Sequence, residues 1–237
     1  MNNIIHINNM NNALKNSKNY LQELGQKYGT DKAGHRYNEI GYLDYYDRHF
    51  SSIRNEVKTF VEIGILGGKS LKMWEEYFPN ATIYGIDITP SCIEYESGRI
   101  KIFIGDQSDY QFLEKIKMEI GNIDILLDDG SHITNHQIKT FDILYPLIND
   151  GGFYAIEDLA NSYEEILNQH NIRSIWPGMT YNKIDDTLKN YRSDFNNWIF
   201  DRVKCLDMMG YHKDQSPVKS NMIGIHFYPM VLILENR

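Results

Sequence analysis

Apolar residues recur along the chain in short runs that are separated by longer amphipathic segments. From Thr59 onward these runs are almost continuously apolar, which is typical of strands covered on both faces. Five runs predict strands: Thr59–Ile63, Thr82–Ile86, Ile100–Ile104, Ile123–Leu127 and Phe153–Ile156. The segments between them have helical spacing: Leu71–Tyr77, Tyr110–Ile120 and Gln137–Leu147. This alternation predicts an α/β fold with a doubly wound, mostly parallel sheet.

Both ends of the chain depart from this alternation. The last two apolar runs, Met222–His226 and Val231–Glu235, are joined by a linker too short for a parallel crossover, so we expect an antiparallel C-terminal hairpin. Residues 1–55 are interpreted as an arm and a helical extension, and residues 56–237 as the main domain. Within that domain the polar, aromatic stretch 161–217 is expected to be an insert, with a helix and a loop that folds over the ligand edge.

The N-terminal region has few apolar anchors. Residues 1–18 carry seven asparagines, which is typical of an arm that becomes ordered only against a partner subunit. A homo-oligomer is therefore one possible state of the protein. The helical pattern that follows, from Tyr20 to Phe50, is interrupted by three glycines: Gly25, Gly29 and Gly34.

Composition and charge narrow the class of protein. Hydrophobic residues make up 42% and charged residues 24%, as in an ordinary globular protein. The net charge of −8 argues against a nucleic-acid or anionic-membrane partner, and no apolar stretch is long enough to span a bilayer. With two cysteines, we expect neither a disulfide framework nor a zinc site. The polar N-terminal residues do not resemble a signal peptide. We therefore expect a soluble cytoplasmic protein.

Glycine or polar residues follow every predicted parallel strand, at the sheet edge where such folds bind ligands. The turn that starts at Gly64 and includes Gly68 lets a ligand approach the backbone and the helix behind it. Its spacing is not G-x-G-x-x-G, which weakens a dinucleotide interpretation. Asp87 ends the second strand, where a carboxylate suits the ribose hydroxyls of NAD or S-adenosylmethionine. The alternative is a tight turn without a ligand.

Acidic residues cluster after two strands that we expect to be neighbours. Asp129 follows one strand and the pair Glu157 and Asp158 follows the other. Carboxylates without a thiol suit Mg²⁺ or Mn²⁺. His132 lies three residues after Asp129, where it could be a metal ligand or a general base. The alternative, that Asp129 or Ser131 only caps the next helix, does not explain the Glu157–Asp158 pair.

Longer strings resemble the metal-dependent sugar O-methyltransferases, which are class I S-adenosylmethionine-dependent enzymes. This group includes the methyltransferases of macrolide and tetracenomycin deoxysugars, and cephalosporin-hydroxylase-like proteins are also similar. The strings are YGTDKAGHRYNEIGYLDYY, VEIGILGGKSLKMWEEYFP, IYGIDI, GDQSD, DILLDDGSH, FYAIEDL and IGIHFY. The resemblance covers about residues 20–160 and 220–236. It implies a Rossmann-like methyltransferase fold, S-adenosylmethionine as methyl donor and a divalent ion, Mg²⁺ or Mn²⁺.

The resemblance also implies roles for matching residues. The metal would be held by Asp129, Glu157 and Asp158. His132 would be the catalytic base, with Asp129 beside it facing the donor. The methionine end of the donor would lie against Glu62, Gly64, Gly68 and Ser70, its ribose against Asp87, and its adenine against Asp106 and Gln107. Residues of a pocket-closing segment, and one aromatic of the insert, would be near the substrate: Thr30, Asp31, His35, Tyr37 and Tyr163.

These expectations combine into one reaction, the transfer of a methyl group to a sugar hydroxyl. The acceptor we expect is a nucleotide-activated sugar for a bacterial surface polysaccharide. The alternatives are a glycosylated natural product or a catechol-like molecule as acceptor, an NAD-dependent oxidoreductase, and a binding module without activity. The glycine spacing disfavours the oxidoreductase, and a binding module would leave the acidic cluster without a purpose.

Overall fold

A seven-stranded β-sheet is the centre of the fold, in a computed structural model that describes residues 19–34, 41–159, 191–208 and 221–237. Its strands are β1 Thr59–Ile63, β2 Thr82–Asp87, β3 Ile100–Ile104, β4 Ile123–Asp128, β5 Ile148–Ile156, β6 Met222–Tyr228 and β7 Val231–Asn236. Within the described ranges the order across the sheet is β3-β2-β1-β4-β5-β7-β6. Strands β1 to β5 are parallel, and β7 and β6 are antiparallel. The predicted mostly parallel sheet and C-terminal hairpin are therefore confirmed.

Helices precede the sheet and connect its parallel strands. The α-helices are α1 Tyr20–Tyr28, α2 Tyr42–Phe50, α3 Lys69–Tyr77, α4 Tyr110–Ile120, α5 Thr134–Leu144 and α6 Tyr191–Met208. Short 3-10 helices cover Asp31–Ala33, Pro90–Tyr95 and Tyr145–Leu147. None of the helices in the described ranges has the length and apolar character of a membrane span. The helix predicted within 161–217 is present as α6, while most of that insert and the arm 1–18 lie outside the described residues. The domain boundary after residue 55 stays a prediction.

The sheet buries one apolar layer on each face. Because side chains alternate along a strand, Phe60 and Val61 of β1 enter opposite layers. The layer around Phe60 contains α1, α2 and α3, and Trp74 packs on Phe60 with ring centroids 4.9 Å apart. The other layer contains α4, α5 and α6, and Trp198 packs on Phe141, also at 4.9 Å. The N-terminal helices therefore share a core with the sheet, which fixes them relative to the strand ends.

Local boundaries differ from the sequence expectations where glycine or proline is involved. Gly25 does not interrupt the first helix, because it lies inside α1, where a Cβ atom would come within 2.3 Å of the Leu43 side chain. Gly29 does end α1, with a left-handed φ of 67°. The helix expected over Gln137–Leu147 is instead α5 followed by a 3-10 turn. Pro146 explains this change, since it has no N–H for an α-helical bond.

Candidate functional site

The C-terminal ends of β1, β4 and β5 lie side by side. Ile63 pairs with Asp128, and Asp128 pairs with Ile156 on its other side. The chain continues this pattern past the strands, since the Asp129 N–H donates to the Ile63 carbonyl and the Glu157 N–H donates to the Asp128 carbonyl, both at 2.9 Å. The residues that follow the three strands therefore meet at one edge, as the parallel topology predicts.

Three polar side chains at this edge come close enough to share a metal ion. Asp129, His132 and Asp158 each offer one ligand atom, and these atoms all lie within 4.8 Å of one another. His132 Nε2 is 3.7 Å from an Asp158 carboxylate oxygen. All three residues are half-buried, so the cluster is reachable from solvent. The structure thus brings together three of the four residues that the sequence suggests for metal binding and base catalysis.

Backbone strain accompanies this cluster. His132 and Asp158 both have a φ of 57°, in the left-handed region that residues other than glycine seldom adopt. Each such residue costs about 1–3 kcal/mol, and the cost is tolerated where the surroundings hold the conformation. Strain of this kind concentrates at functional sites, so it adds weight to this cluster as the candidate centre.

Glu157 differs from the other acidic residues. It is 1% exposed, and its two carboxylate oxygens are engaged by the N-terminal region, one by the Lys32 ammonium at 3.0 Å and one by the Tyr46 hydroxyl at 2.7 Å. It is not among the residues whose ligand atoms converge in the described part of the chain. The role of Glu157 as a metal ligand stays a prediction. In the structure its carboxylate contacts Lys32 and Tyr46.

Lys32 is the residue of this site that the sequence analysis missed. Its side chain is 3% exposed, and its ammonium lies 2.5 Å from Asp129, 3.0 Å from Glu157 and 3.5 Å from Glu62. Burial alone would lower its pKa, but the three surrounding carboxylates raise the pKa well above its usual value, so the side chain is charged. The available signal was its place between Asp31 and the rest of the pocket-closing string, yet a lysine in a polar segment is ordinarily solvated.

The neighbours of Lys32 are held by short local contacts. Thr30 is buried, and its hydroxyl accepts a hydrogen bond from the Lys32 N–H at 3.4 Å, whereas Asp31 is exposed. Tyr42 of α2 donates its hydroxyl proton to Asp158 at 2.5 Å. Thr30 therefore shapes the turn that carries Lys32, and its contact with a substrate stays a prediction, as does that of Asp31. The other expected substrate residues lie outside the described part: His35, Tyr37 and Tyr163.

On the donor side, Glu62 is fully buried. One of its oxygens accepts a hydrogen bond from the Ser70 hydroxyl at 2.7 Å, and the other, Oε1, lies 3.5 Å from the Lys32 ammonium and accepts no hydrogen bond from the described residues. Burial raises the pKa of this carboxyl to about 7, against the opposing effect of Lys32. A buried oxygen that has an ion-pair contact but no hydrogen bond can accept a hydrogen bond from a ligand.

The glycine turn after β1 touches the acidic edge directly. Gly64 has a φ of 83°, and a Cβ atom there would lie 2.1 Å from the Asp129 carbonyl oxygen. Gly68 has a φ of 66° and packs under the ring of Tyr95. Asp87 accepts hydrogen bonds at one oxygen from the Ile65 N–H, at 3.0 Å, and from the next N–H of the turn. The turn, the acidic residue of β2 and the candidate metal cluster are therefore contiguous.

Gln107 is held inside the turn that follows β4. Its side chain is buried, and its amide donates to Asp128 at 3.1 Å and to Thr140 at 3.2 Å, while its carbonyl accepts from the Ser131 N–H at 2.6 Å. With both ends engaged, the side chain holds the turn after β4, and its contact with adenine stays a prediction. Asp106 is half-buried and remains available for that role.

The capping alternative does not account for the acidic edge. Helix α5 begins at Thr134, and its N-cap, Ile133, makes no side-chain cap hydrogen bond. Ser131 accepts a hydrogen bond from the Ile133 N–H at 3.3 Å, so it helps to form the turn. Asp129 instead pairs with Lys32.

Acidic groups outnumber cationic groups at this edge among the described residues. Three carboxylates surround one ammonium, since Glu62, Asp129 and Glu157 all lie within 3.5 Å of Lys32, and Asp158 adds a fourth acidic group nearby. Burial raises the pKa of Glu62 to about 7 and the pKa of Glu157 well above its usual value, and a divalent ion that shared these carboxyls would favour their charged form. The oxygen-rich donor set with one imidazole suits a hard divalent ion such as Mg²⁺ or Mn²⁺.

No family model matches the chain. Individual known proteins that resemble it are O-methyltransferases. The chain is 32% identical over 224 residues to the mycinamicin VI 2''-O-methyltransferase of Micromonospora griseorubida, across 91% of this chain and 52% of that protein. It is 32% identical over 226 residues to the 8-demethyl-8-alpha-L-rhamnosyl tetracenomycin-C 2'-O-methyltransferase of Streptomyces olivaceus, across 92% and 54%. The chain thus spans about half the length of the curated relatives it matches.

A solved structure extends the likeness to three dimensions. It is the MycE methyltransferase of the mycinamycin biosynthetic pathway, in complex with Mg, SAH and mycinamycin VI. The TM-score is 0.72 and the sequence identity 30%, over 91% of this chain and 53% of that one. The resemblance to the sugar O-methyltransferases of macrolide and tetracenomycin pathways, and the class I methyltransferase fold, are therefore confirmed.

Proposed function

We propose that this chain carries the methyl-transfer site of a metal-dependent sugar O-methyltransferase, with S-adenosylmethionine as donor. The observation that carries the proposal is the convergence of Asp129, His132 and Asp158 within 4.8 Å, directly beside the glycine turn of β1. A methyl donor cradled by that turn would face the cluster. The relatives are named for methylation of mycinamicin VI and of a rhamnosyl tetracenomycin, so a sugar of a glycosylated natural product is the acceptor we favour. The nucleotide-sugar and polysaccharide expectation has no such support.

The residues of the acidic edge fit a divalent ion. Asp129 and Asp158 would hold it through carboxylate oxygens, with the surplus of acidic groups around Lys32 as the electrostatic reason. Glu157 would join them through lone pairs that its contacts with Lys32 and Tyr46 leave open. A bound dication would lower the pKa of a sugar hydroxyl held against it and would orient that hydroxyl.

His132 is suited to take the proton of the acceptor hydroxyl. Its Nε2 faces Asp158 at 3.7 Å, and its Nδ1 is buried and has no hydrogen-bond partner among the described residues. In a neutral imidazole Nε2, on the side of the cluster, can accept a proton, and the neighbouring carboxylate stabilises the imidazolium that forms. The acceptor oxygen then bonds to the methyl carbon as the carbon–sulfur bond of the sulfonium breaks, which leaves S-adenosylhomocysteine.

The remaining contacts orient the donor. Glu62 Oε1, which lies 3.5 Å from the Lys32 ammonium but accepts no hydrogen bond from the described residues, is suited to accept one from the ammonium group at the methionine end. Asp87 retains lone pairs for the ribose hydroxyls beside its backbone contacts, because a carboxylate can accept about four hydrogen bonds. Holding donor and acceptor in line contributes about 7–11 kcal/mol to rate acceleration in well-oriented systems.

Mass spectrometry of acceptors incubated with S-adenosylmethionine tests this function. The panel contains glycosylated macrolides and aromatic polyketides, nucleotide sugars and catechols, each with Mg²⁺, with EDTA, and with Mg²⁺ restored after EDTA. We expect one added methyl group on a glycoside, lost with EDTA and regained with Mg²⁺. Methylation that survives complete metal removal would contradict the metal's role, and methylation of nucleotide sugars alone would contradict the acceptor class. Thermal stabilisation by NAD but not by S-adenosylhomocysteine would favour the oxidoreductase instead.

A further inference from the structure

The N-terminal region engages the acidic residues that directly follow β4 and β5. Tyr42 donates to Asp158 at 2.5 Å, Tyr46 donates to Glu157 at 2.7 Å, and Lys32 reaches Glu157 and Asp129 together. Of these three donors, Lys32 alone carries a charge. Its partners are residues to which the proposed function assigns metal and donor contacts.

We propose that Lys32 is an internal counter-ion that shares Asp129 and Glu157 with the divalent ion. It holds the acidic strand ends together when no metal is bound, and it weakens the binding of the metal by competing for the same oxygens. Lys32 is thus a positioning residue rather than a catalytic one. The inference rests on the proposed function, because it assumes a metal at this edge.

The geometry of Lys32 distinguishes it from an ordinary surface ion pair. Its side chain is 3% exposed, and its ammonium lies within 3.5 Å of three carboxylates that belong to three different strand ends. Lys27 of the same region is a useful contrast, because its side chain is 54% exposed and pairs with Glu76 on the surface. Surface pairs of that kind contribute little to stability, whereas a buried cation among carboxylates cannot be removed without leaving uncompensated charge.

Two opposite consequences follow for a chain that lacks the ammonium. Without metal, the carboxylates repel one another and the strand ends become less stable. With metal, the dication meets one more unit of negative charge and no competing cation, so it binds more tightly. A residue that served only to support the fold would behave differently, because its loss would distort the site and weaken metal binding.

The test compares Lys32→Met with the wild type and with Lys27→Met as the matched control. Calorimetric titration with Mn²⁺, in the presence of S-adenosylhomocysteine, should give a Kd at least about tenfold lower for Lys32→Met, because a full unit charge is removed a few ångströms from the site. Lys27→Met should bind Mn²⁺ like the wild type. The thermal midpoint in EDTA should fall for Lys32→Met, and Mn²⁺ should raise it more than it raises that of the wild type.

A second variant covers the case in which Lys32→Met does not fold without metal. The double variant Lys32→Met with Glu157→Gln removes the cation together with one carboxylate, so it should be more stable in EDTA than Lys32→Met alone. Equal or weaker Mn²⁺ binding by Lys32→Met, or a double variant that is no more stable, would overturn the inference. Absence of Mn²⁺ binding in the wild type and in the variant would overturn the proposed metal site itself, which separates the two failures.

Discussion

The two sides of the ligand edge are built by different means. At the ends of β1 and β2, backbone groups form the site. Gly64 lets the turn after β1 pack against the backbone of Asp129, and Asp87 accepts hydrogen bonds from N–H groups of that turn. At the ends of β4 and β5, charged side chains dominate, and Asp129 is engaged by Lys32, which lies 97 positions earlier in the chain. The first side is shaped by backbone contacts between the ends of paired strands, and the second needs the N-terminal region to be complete.

The largest effect on activity should come from His132→Ala. This variant tests whether catalysis depends on the acidic side and donor binding on the other side. We expect kcat to fall about 10²- to 10⁴-fold, because the acceptor proton loses its base. The affinity for S-adenosylhomocysteine should not change, because the donor lies on the other side. Steady-state kinetics and calorimetric titration measure the two quantities. A full kcat would refute the role of His132, and a parallel loss of donor affinity would show that the two sides are not separable.

The junction between the sides should be nearly as sensitive. In Gly64→Ala the new Cβ would lie 2.1 Å from the Asp129 carbonyl oxygen at a φ of 83°, so the strand ends must separate. We expect a loss of about 2–5 kcal/mol in the free energy of unfolding, measured with urea. Gly67→Ala is the control, because its new Cβ would meet no atom of the described residues within 4 Å, and its change should stay within about 0.5 kcal/mol. Equal effects of the two variants would contradict the close junction.

Gln107→Ala should have a smaller effect, confined to the acidic side. The change leaves the buried carboxylate of Asp128 and the Ser131 N–H without their amide partner. We expect a loss of about 1–3 kcal/mol in the free energy of unfolding. The exposed Gln111 supplies the control Gln111→Ala, which should be close to neutral. An adenine-contacting Gln107 would instead lower donor affinity and leave stability almost unchanged.

The smallest effect concerns His49, which lies on neither side of the ligand edge. Its titration gives a baseline for the pH dependence of stability. His49 of α2 contacts the Tyr228 hydroxyl at 2.9 Å, and burial lowers the pKa of His49 from 6.5 to about 4. His226 and Arg48 lower it further, and Glu235 opposes them. The unfolded chain therefore binds the proton first, so this contribution is complete above pH 6.5 and is lost as the pH falls toward 4.

Urea unfolding at two pH values checks this effect. With allowance for solvent screening of a half-buried group, we expect the wild type to lose about 1 kcal/mol between about pH 6.5 and pH 5 relative to His49→Phe. A difference of the opposite sign would show that His49 is charged in the folded chain.

The same contrast explains how much the sequence could predict. The first four strands are nearly continuous apolar runs, so their parallel direction and their bounds, to within one residue, could be predicted from local pattern. The start of β5 at Ile148, five residues before the predicted Phe153, could not, because residues 149–152 are polar or glycine. Gly64, Asp87 and the acidic residues after β4 and β5 lie at or directly after strand ends, which placed them at one edge. Lys32, Tyr46 and the inward side chain of Gln107 could not be predicted, because their partners lie far away in sequence and depend on how helices pack.

The metal site is tested most directly by anomalous scattering from crystals grown with Mn²⁺ and S-adenosylhomocysteine. We expect one manganese peak bonded to the carboxylates of Asp129 and Asp158, beside the sulfur of the donor product. Asp129 bound only to Lys32, with manganese absent from this edge or lodged elsewhere, would contradict the proposed function.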